Sequence, residues 1–476
     1  MQALPKHHST HVAADLFPAK WFKALVVLAA VGLGWALWPG RFYFLNDDFI
    51  HIPMASDGTL GHHNSARHIN DFSLFLDHLL FGKWAPGYHL TNALLHVANV
   101  FMLGWLFQLV SRTFGITVPR KIIVLMVLGF GLYAFHAETI FWILSRTASL
   151  SLLLVLLSWW FMWQAIQRWW LVFPSLACFW LALFTYETSW LLLPYLLLWW
   201  YWARQTMEQH LRKRLLMVLW PLVLSWLLYL PLRQHLIQGV LGHYEAGNVL
   251  QFNVAALATN AYKLFFRSFL PPISTPAVFV SLSVVIAVCM VALMYSCYRL
   301  QVINKLWKWL LICWLASYSL FISLGISVTG YESDRYLYFS SAFLAAWVLY
   351  SLYLISRPYR ALAMAGTTLF LGYHLLFLQV AASDYQTAST ITKSTIEQLQ
   401  QQPANATVTL VNLPITFKGI PTFRYGFAEA IAWQLDSTRV GSIRVMTAIN
   451  SRRMPAITVE SDKDEGSLIY FSDTGR

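Results

Sequence analysis

The sequence predicts an all-α polytopic membrane protein that carries a small α/β domain at its C-terminal end. Hydrophobic residues make up 58% of the 476 positions and charged residues only 11%, against about 25% charged in soluble domains. The apolar residues form runs of about 17 to 25, long enough for helices to cross a hydrocarbon core of about 30 Å. After residue 382 the composition turns polar and rich in Gln and Thr, which indicates a separate domain outside the bilayer.

Eleven apolar runs predict eleven transmembrane helices, with boundaries near 21–38, 88–111, 121–136, 147–166, 169–185, 188–202, 215–232, 274–298, 307–327, 338–356 and 359–381. The first run is followed by Arg41-Phe42-Tyr43 and not by a small-residue cleavage site, so we expect it to be retained. The predicted organisation is therefore a cytoplasmic segment 1–20, a transmembrane module 21–381 and an extracytoplasmic domain 382–476.

The basic residues predict the orientation of the chain. The net charge of +12 is spread through short connections and forms no basic domain, so it indicates membrane topology and not a nucleic-acid partner. About twice as many Lys and Arg fall in the connections that share a side with the N-terminus, which predicts that the N-terminus is cytoplasmic and the C-terminus outside. We expect a bacterial inner or plasma membrane, with the site on its periplasmic or external side.

Two outer loops are too long to be simple turns, at residues 39–86 and 233–272. In each, apolar residues recur at helical spacing, over 72–81 and 254–270, which predicts amphipathic helices in the plane of the interface. In the C-terminal domain the patterns predict helices at 395–402 and 427–435. They also predict strands at 406–413, ended by Pro414, and at 442–448 and 467–471.

The first candidate site is the adjacent acid pair Asp47 and Asp48, which follows the first span within about ten residues. Neighbouring carboxylates repel, so one of them is expected to have a raised pKa, which suits a general base. The alternative is that the two acids cap the following helix or are simply solvated.

The second candidate is the connection around Glu138 and Arg146, which lie eight residues apart and therefore on one face of a continuous helix. An arginine at the membrane surface suits phosphate, because its planar guanidinium donates two hydrogen bonds at once. A structural Glu–Arg pair or an interfacial anchor is the alternative.

Further polar residues cluster at two other outer connections. Glu187 lies in a turn between two apolar runs, and Asp334 and Arg335 precede Tyr336 and Tyr338. Arg335 is a candidate second phosphate ligand and the tyrosines are candidate sugar contacts. A solvated turn acid and an aromatic belt with a surface ion pair are the alternatives.

Histidines occur in two different settings. His89, Asn92, His96 and Asn99 form one polar stripe along the second span, which favours hydrogen bonding between helices. His51, His62, His63 and His68 share the first outer loop with the acid pair, so a divalent metal there stays open. No fixed ligand spacing is present, and the four cysteines lie inside apolar runs, so no cofactor is required.

Taken in order, these motifs resemble those of GT-C superfamily membrane glycosyltransferases. The matching stretches are Asp47-Asp48, GYHLTNALLH at 87–96, FHAETIFWILSRTASL at 135–150, the Glu187 turn and SDRYLYFSSAF at 333–343. They look most like the protein O-mannosyltransferase-like branch that includes the tetratricopeptide-repeat transmembrane O-mannosyltransferases. The repeat array of that branch is missing here.

The resemblance implies an inverting transfer of one sugar from a polyprenyl-phosphate donor to a protein, lipid or glycan acceptor outside the cytoplasm. It assigns catalysis to Asp47, Asp48 and Glu138 and donor-phosphate binding to Arg146 and Arg335. We also predict substrate contacts at His89, Glu187, Asp334, Tyr336 and Tyr338. Two alternatives remain: a flippase or transporter of lipid-linked sugars, and a surface-polysaccharide polymerase or ligase.

Overall fold

The computed structural model describes residues 16–60, 67–237, 253–403, 406–435, 440–462 and 466–472. Seven helices in these ranges are long and apolar enough to cross a membrane, and eight if one bent pair counts as a single span. The chain is thus an integral membrane protein of the helical type, with a small β-containing region after the last long helix.

The α-helices in chain order are α1 (Ala19–Ala36), α2 (Asp48–Ser56), α3 (His68–Phe81), α4 (Ala85–Thr113), α5 (Arg120–Gly131), α6 (Ala137–Phe141), α7 (Thr147–Ala165), α8 (Val172–Leu183), α9 (Leu192–Ala203), α10 (Gln209–Ile237), α11 (Val254–Arg267), α12 (Pro276–Arg299), α13 (Lys305–Ala316), α14 (Leu337–Leu354), α15 (Arg360–Gln400) and α16 (Phe427–Gln434).

Four of the eleven predicted spans form only short α-helices. Helices α5, α8, α9 and α13 have 12 residues each, about 18 Å at 1.5 Å per residue. Helix α5 bends by 50° into the segment 134–141, and α13 continues as a 3₁₀ turn from Ser317 to Leu320. Apolar composition does not reveal such breaks, so the count of eleven and the orientation stay predictions.

Helix α14 forms the centre of the bundle. Of its most apolar window, 89% of the residues are buried inside the protein, whereas the corresponding shares are 11% for α12 and 17% for α1. Helix α14 packs against α5 and α13. A helix that is apolar all round and little covered by protein faces hydrocarbon, so α1 and α12 lie at the lipid-facing periphery.

The polar stripe on α4 joins helices, as the sequence predicted. His96 contacts the Tyr338 hydroxyl at 2.9 Å and the Gly131 carbonyl at 3.0 Å. The Asn99 amide donates to the Ser149 carbonyl at 2.8 Å, and Asn92 donates to two carbonyls of the 140–142 segment. These bonds fix α4 to the segments on which Glu138 and Arg146 lie.

Both predicted outer helices are present, as α3 and α11. Helix α3 turns Asp71 and Asp77 into the protein, while Leu79 and Leu80 are exposed. Its outward face is therefore apolar and suited to a lipid surface. In the second outer loop, residues 238–252 lie outside the described part of the chain.

Helix α15 runs without interruption through 41 residues, about 60 Å and twice the hydrocarbon thickness. It joins the predicted span 359–381 to the predicted helix at 395–402, so the boundary expected at residue 382 falls inside one helix. The far half packs on the C-terminal domain through Ile396 and Leu399.

The C-terminal strands are β1 (Ala406–Val411), β2 (Leu413–Phe417), β3 (Ile420–Pro421), β4 (Val440–Val445), β5 (Ala448–Ser451), β6 (Ala456–Asp462) and β7 (Gly466–Ser472). They form one sheet of order β4-β1-β7-β6 and a second of order β3-β2-β5. Strand β1 is parallel to β4 and β7, and β6 is antiparallel to β7.

The predicted strand 406–413 is divided in the structure. Asn412 adopts φ 59° and separates β1 from β2. Pro414 does not end the strand: it lies inside β2, opposite Ile449, next to an irregularity in the register. Such irregularities are where a sheet tolerates proline. The predicted strand 442–448 likewise divides into β4 and β5, and the sequence patterns missed β3 and β6.

Candidate active site

The connections that carry the predicted acids meet at one end of the helix bundle. The contacts that join them are Leu144 N to Asp48 Oδ1 at 3.1 Å, Arg335 to Glu138 at 2.5 Å and Arg67 to Glu187 at 3.5 Å. The first two contacts join the Asp48 and Arg335 loops to the segment 138–144, and the third joins Glu187 to the first outer loop.

Asp48 is a buried anchor of this region. It is the first residue of α2 and is 1% exposed. One carboxylate oxygen accepts from the Leu45 backbone N–H at 2.9 Å and the other from Leu144 N–H. Burial raises the pKa of Asp48 to about 8, although the two backbone donors act in the opposite direction. The side chain thereby ties the first outer loop to the 143–146 turn.

Asp47 is the more accessible acid of the pair. It caps α2 without bonding to it through its side chain, is only partly buried, and accepts a hydrogen bond from the Asn46 side-chain amide. Burial raises the pKa of Asp47 to about 6, while the nearby charges of Arg335 and Arg424 lower it. A carboxylate in this range can take up a proton near neutral pH and is still largely ionised there.

Arg335 is held in place by Glu138. The guanidinium donates to Glu138 at 2.5 Å, and the backbone N–H of Arg335 donates to the second carboxylate oxygen at 2.8 Å. The Arg335 side chain is 21% exposed, whereas Glu138 is 1% exposed. The guanidinium also lies over the Tyr336 ring, 5.5 Å from its centroid. Glu138 therefore fixes the orientation of the Arg335 guanidinium, while part of the Arg335 side chain keeps its exposed surface.

Arg146 occupies a different environment from the one expected. It has no exposed surface and pairs with Asp77 at 2.5 Å. Its remaining donors reach the Tyr88 carbonyl at 3.1 Å and the Ile143 carbonyl at 3.3 Å. The predicted shared face with Glu138 is absent because α6 ends before Trp142, which is extended at φ −103° and ψ 120°.

The other predicted substrate contacts lie inside the protein. His89 is 3% exposed and contacts the Tyr43 carbonyl at 3.3 Å. Asp334 is fully buried and paired with Arg267. Tyr336 stacks on Phe321 with centroids 4.3 Å apart. Tyr338, also predicted as a sugar contact, places its hydroxyl between the α4 histidine and asparagine described above. These packed side chains support the site but present little surface to a substrate.

Glu187 lies between two arginines. Arg233 donates to it at 2.8 Å and Arg67 approaches at 3.5 Å. Burial alone would raise its pKa, but the two guanidinium charges outweigh burial and lower the pKa of Glu187 to about 2. The carboxylate is thus ionised at neutral pH and is balanced by cations, which fits an anchor of the outer loops.

Sequence patterns missed several members of the site. Arg424 pairs with Glu332 at 3.0 Å next to Asp47, and Asn46 binds Asp47 directly. Only the position of Asn46, immediately before the acid pair, offered a local signal. Arg424 belongs to the C-terminal domain, and nothing in its neighbourhood in sequence pointed to this contact.

A polar cleft of about 480 Å³ opens beside the site. It lies between α11 and the 324–333 segment, with Lys263, Thr259 and Ser327 among its lining residues. Ser333, two residues before Arg335, also lines the cleft. Lys263 is the cation among the residues that line this cleft. Among the residues placed in the structure, no group of three or more His, Cys, Asp or Glu side chains could hold a metal ion; His62 and His63 are outside the described ranges.

No protein-family model matches the chain, and no curated protein matches it. Solved structures give distant likenesses. The archaeal oligosaccharyltransferase AglB from Archaeoglobus fulgidus, in complex with an inhibitory peptide and a dolichol-phosphate, is 13% identical with a TM-score of 0.45. The match covers 89% of this chain, and the chain spans 64% of the length of that protein.

ArnT from Cupriavidus metallidurans also resembles the chain. Bound to undecaprenyl phosphate, it is 13% identical with a TM-score of 0.38, covering 90% of both chains. In the apo state it is 14% identical with a TM-score of 0.36, covering 82% of both. These likenesses concern the course of the chain and assign no residue.

Proposed function

We propose that this protein is a membrane glycosyltransferase that moves one sugar from a polyprenyl-phosphate donor to an acceptor hydroxyl on the extracytoplasmic side. The observation that carries the proposal is the accessible carboxylate of Asp47, with a pKa of about 6, beside the anchored guanidinium of Arg335. A base and a fixed cation at one end of an apolar bundle suit a hydroxyl acceptor and an amphiphilic phosphate donor.

In the proposed reaction, the ionised Asp47 takes the proton of the acceptor hydroxyl. The acceptor oxygen then bonds to the anomeric carbon as the bond from that carbon to the phosphate oxygen breaks. The electron pair leaves with the polyprenyl phosphate. A single displacement of this kind inverts the anomeric configuration, in keeping with the resemblance of the motifs.

Arg335 stabilises the leaving phosphate in this proposal. The charge on the phosphate grows in the transition state, and a donor already held in position stabilises it without further reorganisation. Glu138 supplies that positioning, because it binds both the side chain and the backbone N–H of Arg335. Lys263 in the adjacent cleft is a second candidate cation for the donor headgroup.

The packing supports narrower roles for the other candidates. Arg146 is saturated by Asp77 and two carbonyls, so we assign it to holding α3 against α4 and not to the donor. Asp48 fixes the loop that carries Asp47. Glu187 anchors the outer connections through its two arginines. Asp334 orients α11 through Arg267.

A transporter is less well supported by these positions. Transporters carry polar and charged groups along a path through the bilayer. Here the ion pairs of Glu138, Asp77 and Glu187 are gathered where the outer connections meet. This arrangement favours a reaction at one face of the membrane.

The test uses the full chain reconstituted in vesicles, with a labelled polyprenyl-phosphate sugar and a cell-envelope extract as the source of acceptor. Asp47→Asn is expected to lower transfer by about three orders of magnitude, within the range of general-base catalysis. Asp57→Asn is the matched control, because Asp57 is an exposed acid at the other end of α2. It should keep the wild-type rate.

The pH dependence gives an independent check. Asp47 must be ionised to act as base, so kcat/KM should rise with pH through about 6 and level off above it. Equal rates for the Asp47→Asn and Asp57→Asn variants would remove the base assignment. Movement of the intact lipid across vesicles without sugar transfer would favour the transporter.

A further inference from the structure

The loop that carries Asp47 is bound directly by the C-terminal domain. The backbone N–H of Asn46 donates to the Thr422 carbonyl at 2.8 Å. The side-chain oxygen of Asn46 accepts from the Tyr425 N–H at 2.7 Å. Its side-chain nitrogen donates to Asp47 Oδ1. One asparagine thus joins the candidate base to a segment 379 positions away in sequence.

The backbone conformation at this contact restricts which residues can occupy positions 46 and 426. Asn46 is 2% exposed and adopts φ 48°, a left-handed conformation that asparagine tolerates better than most residues. Gly426 opposite it has φ +76°, and a Cβ there would lie 2.7 Å from the Asn46 carbonyl oxygen. The two backbone segments, at residues 46 and 426, can approach this closely only because residue 426 has no side chain.

Further contacts between the C-terminal domain and the first outer loop flank the Asn46 contact on both sides. Phe423 stacks on Phe49 with centroids 6.2 Å apart, and Trp433 meets Phe44 edge-on at 4.9 Å. The Arg424–Glu332 pair connects the same segment to the loop that leads to Arg335. The C-terminal domain therefore contacts both the loop that carries Asp47 and the loop that carries Arg335.

We propose that Asn46 is a positioning residue for the Asp47 base, and that the segment 422–426 of the C-terminal domain holds Asn46 in its working conformation. This inference rests on the proposed function. The Asn46 amide fixes which way the Asp47 carboxylate points, and its donated hydrogen bond favours the ionised carboxylate. The C-terminal domain is then a component of the active site.

The first test replaces the side chain while preserving the backbone. Asn46→Gly keeps access to positive φ, and Asn46→Asp keeps the acceptor for Tyr425 but cannot donate to Asp47. Both are expected to lower kcat/KM about tenfold and to move its acidic limb about one pH unit higher, because Asp47 then ionises less readily. A merely structural role would lower the rate without moving the limb.

The second test acts from the C-terminal side. Gly426→Ala places a methyl group against the Asn46 carbonyl and should produce the same shift of the acidic limb. Gly58→Ala is the matched control, because Gly58 also has positive φ, at +79°, but nothing lies within 4 Å of its added Cβ. The control should keep the wild-type limb.

The outcomes separate this inference from the function on which it depends. If Asp47→Asn is inactive but the Asn46 and Gly426 variants keep the wild-type acidic limb, the positioning role is overturned and the proposed function stands. If Asp47→Asn keeps the wild-type rate of sugar transfer, the base assignment and the positioning role both fall, and if the wild-type protein transfers no sugar, the proposed function falls. The amount of each variant in the membrane and its unfolding temperature show which variants are folded. Asn46→Gly is expected to disturb the fold least, because glycine keeps access to positive φ.

Discussion

Arg335 offers a way to separate a catalytic charge from a structural one. Its partner Glu138 is almost completely buried, and the Arg335 side chain is 21% exposed. Arg335→Gln leaves the Glu138 carboxylate without its cation, and an uncompensated buried charge costs about 3–5 kcal/mol. We therefore expect this variant to be both inactive and clearly less stable, a result that either role would produce.

The double variant Arg335→Gln with Glu138→Gln resolves that ambiguity. The buried carboxylate is gone, and the amide oxygen at 138 can still accept from the backbone N–H that binds Glu138 at 2.8 Å. Most of the lost stability should return, because a neutral pair no longer has a charge to solvate. Sugar transfer should stay about 10²–10³-fold below wild type, because one preorganised donor is missing from the transition state.

The assay measures both quantities on the same preparation. Unfolding is followed in detergent by intrinsic tryptophan fluorescence, and transfer is followed with the labelled donor in vesicles. The reasoning is refuted if the double variant regains activity together with stability. Arg335 would then only neutralise Glu138, and the phosphate would have to be held elsewhere.

Three further predictions concern neighbouring groups. Arg146→Gln should destabilise the protein by about 3–5 kcal/mol, and adding Asp77→Asn should restore most of this along with transfer, since the pair is buried; transfer that stays lost in the stable double variant would restore Arg146 as a donor ligand. The low pKa of Glu187 should contribute up to about 3 kcal/mol above pH 4.5, lost as the pH falls towards 2; unfolding measured against pH should show this dependence in wild type and not in Glu187→Gln. Lys263→Met should raise the KM for the donor several-fold and leave kcat near wild type, because the lysine lines the cleft and not the base loop; an unchanged KM would exclude the cleft from donor binding.

Sequence patterns could single out the candidate residues because the relevant signals are local. Apolar runs mark where helices lie, and alternate connections must share a side of the membrane, so Asp47, Glu138 and Arg335 were expected together. The hydrogen bonds of the polar stripe on α4 to other helices could be predicted in the same way, since polar groups in lipid need partners. These inferences depend on composition and period alone.

Sequence patterns could not predict which acid each arginine pairs with. Arg146 and Arg335 looked equivalent in sequence, yet one is buried on Asp77, 69 positions away, and the other contacts Glu138, 197 positions away. The eight-residue spacing of Glu138 and Arg146 suggested one face only while the helix was assumed to continue. The helix ends at the extended backbone of Trp142. No proline or glycine at that position indicates this break in the sequence.

The environment of Asp47 shows why the chemistry depends on the whole fold. An isolated carboxylate of this type has a pKa near 4, too weak a base for the task. Burial raises the value to about 6, although the charges of Arg335 and Arg424 act in the opposite direction. One of those two charges, Arg424, belongs to the C-terminal domain, and Asn46, which donates to Asp47, is itself bound by that domain. The pKa of Asp47 therefore depends on contacts that no local sequence pattern predicts, which is why the acid pair alone did not reveal which carboxylate would be the stronger base.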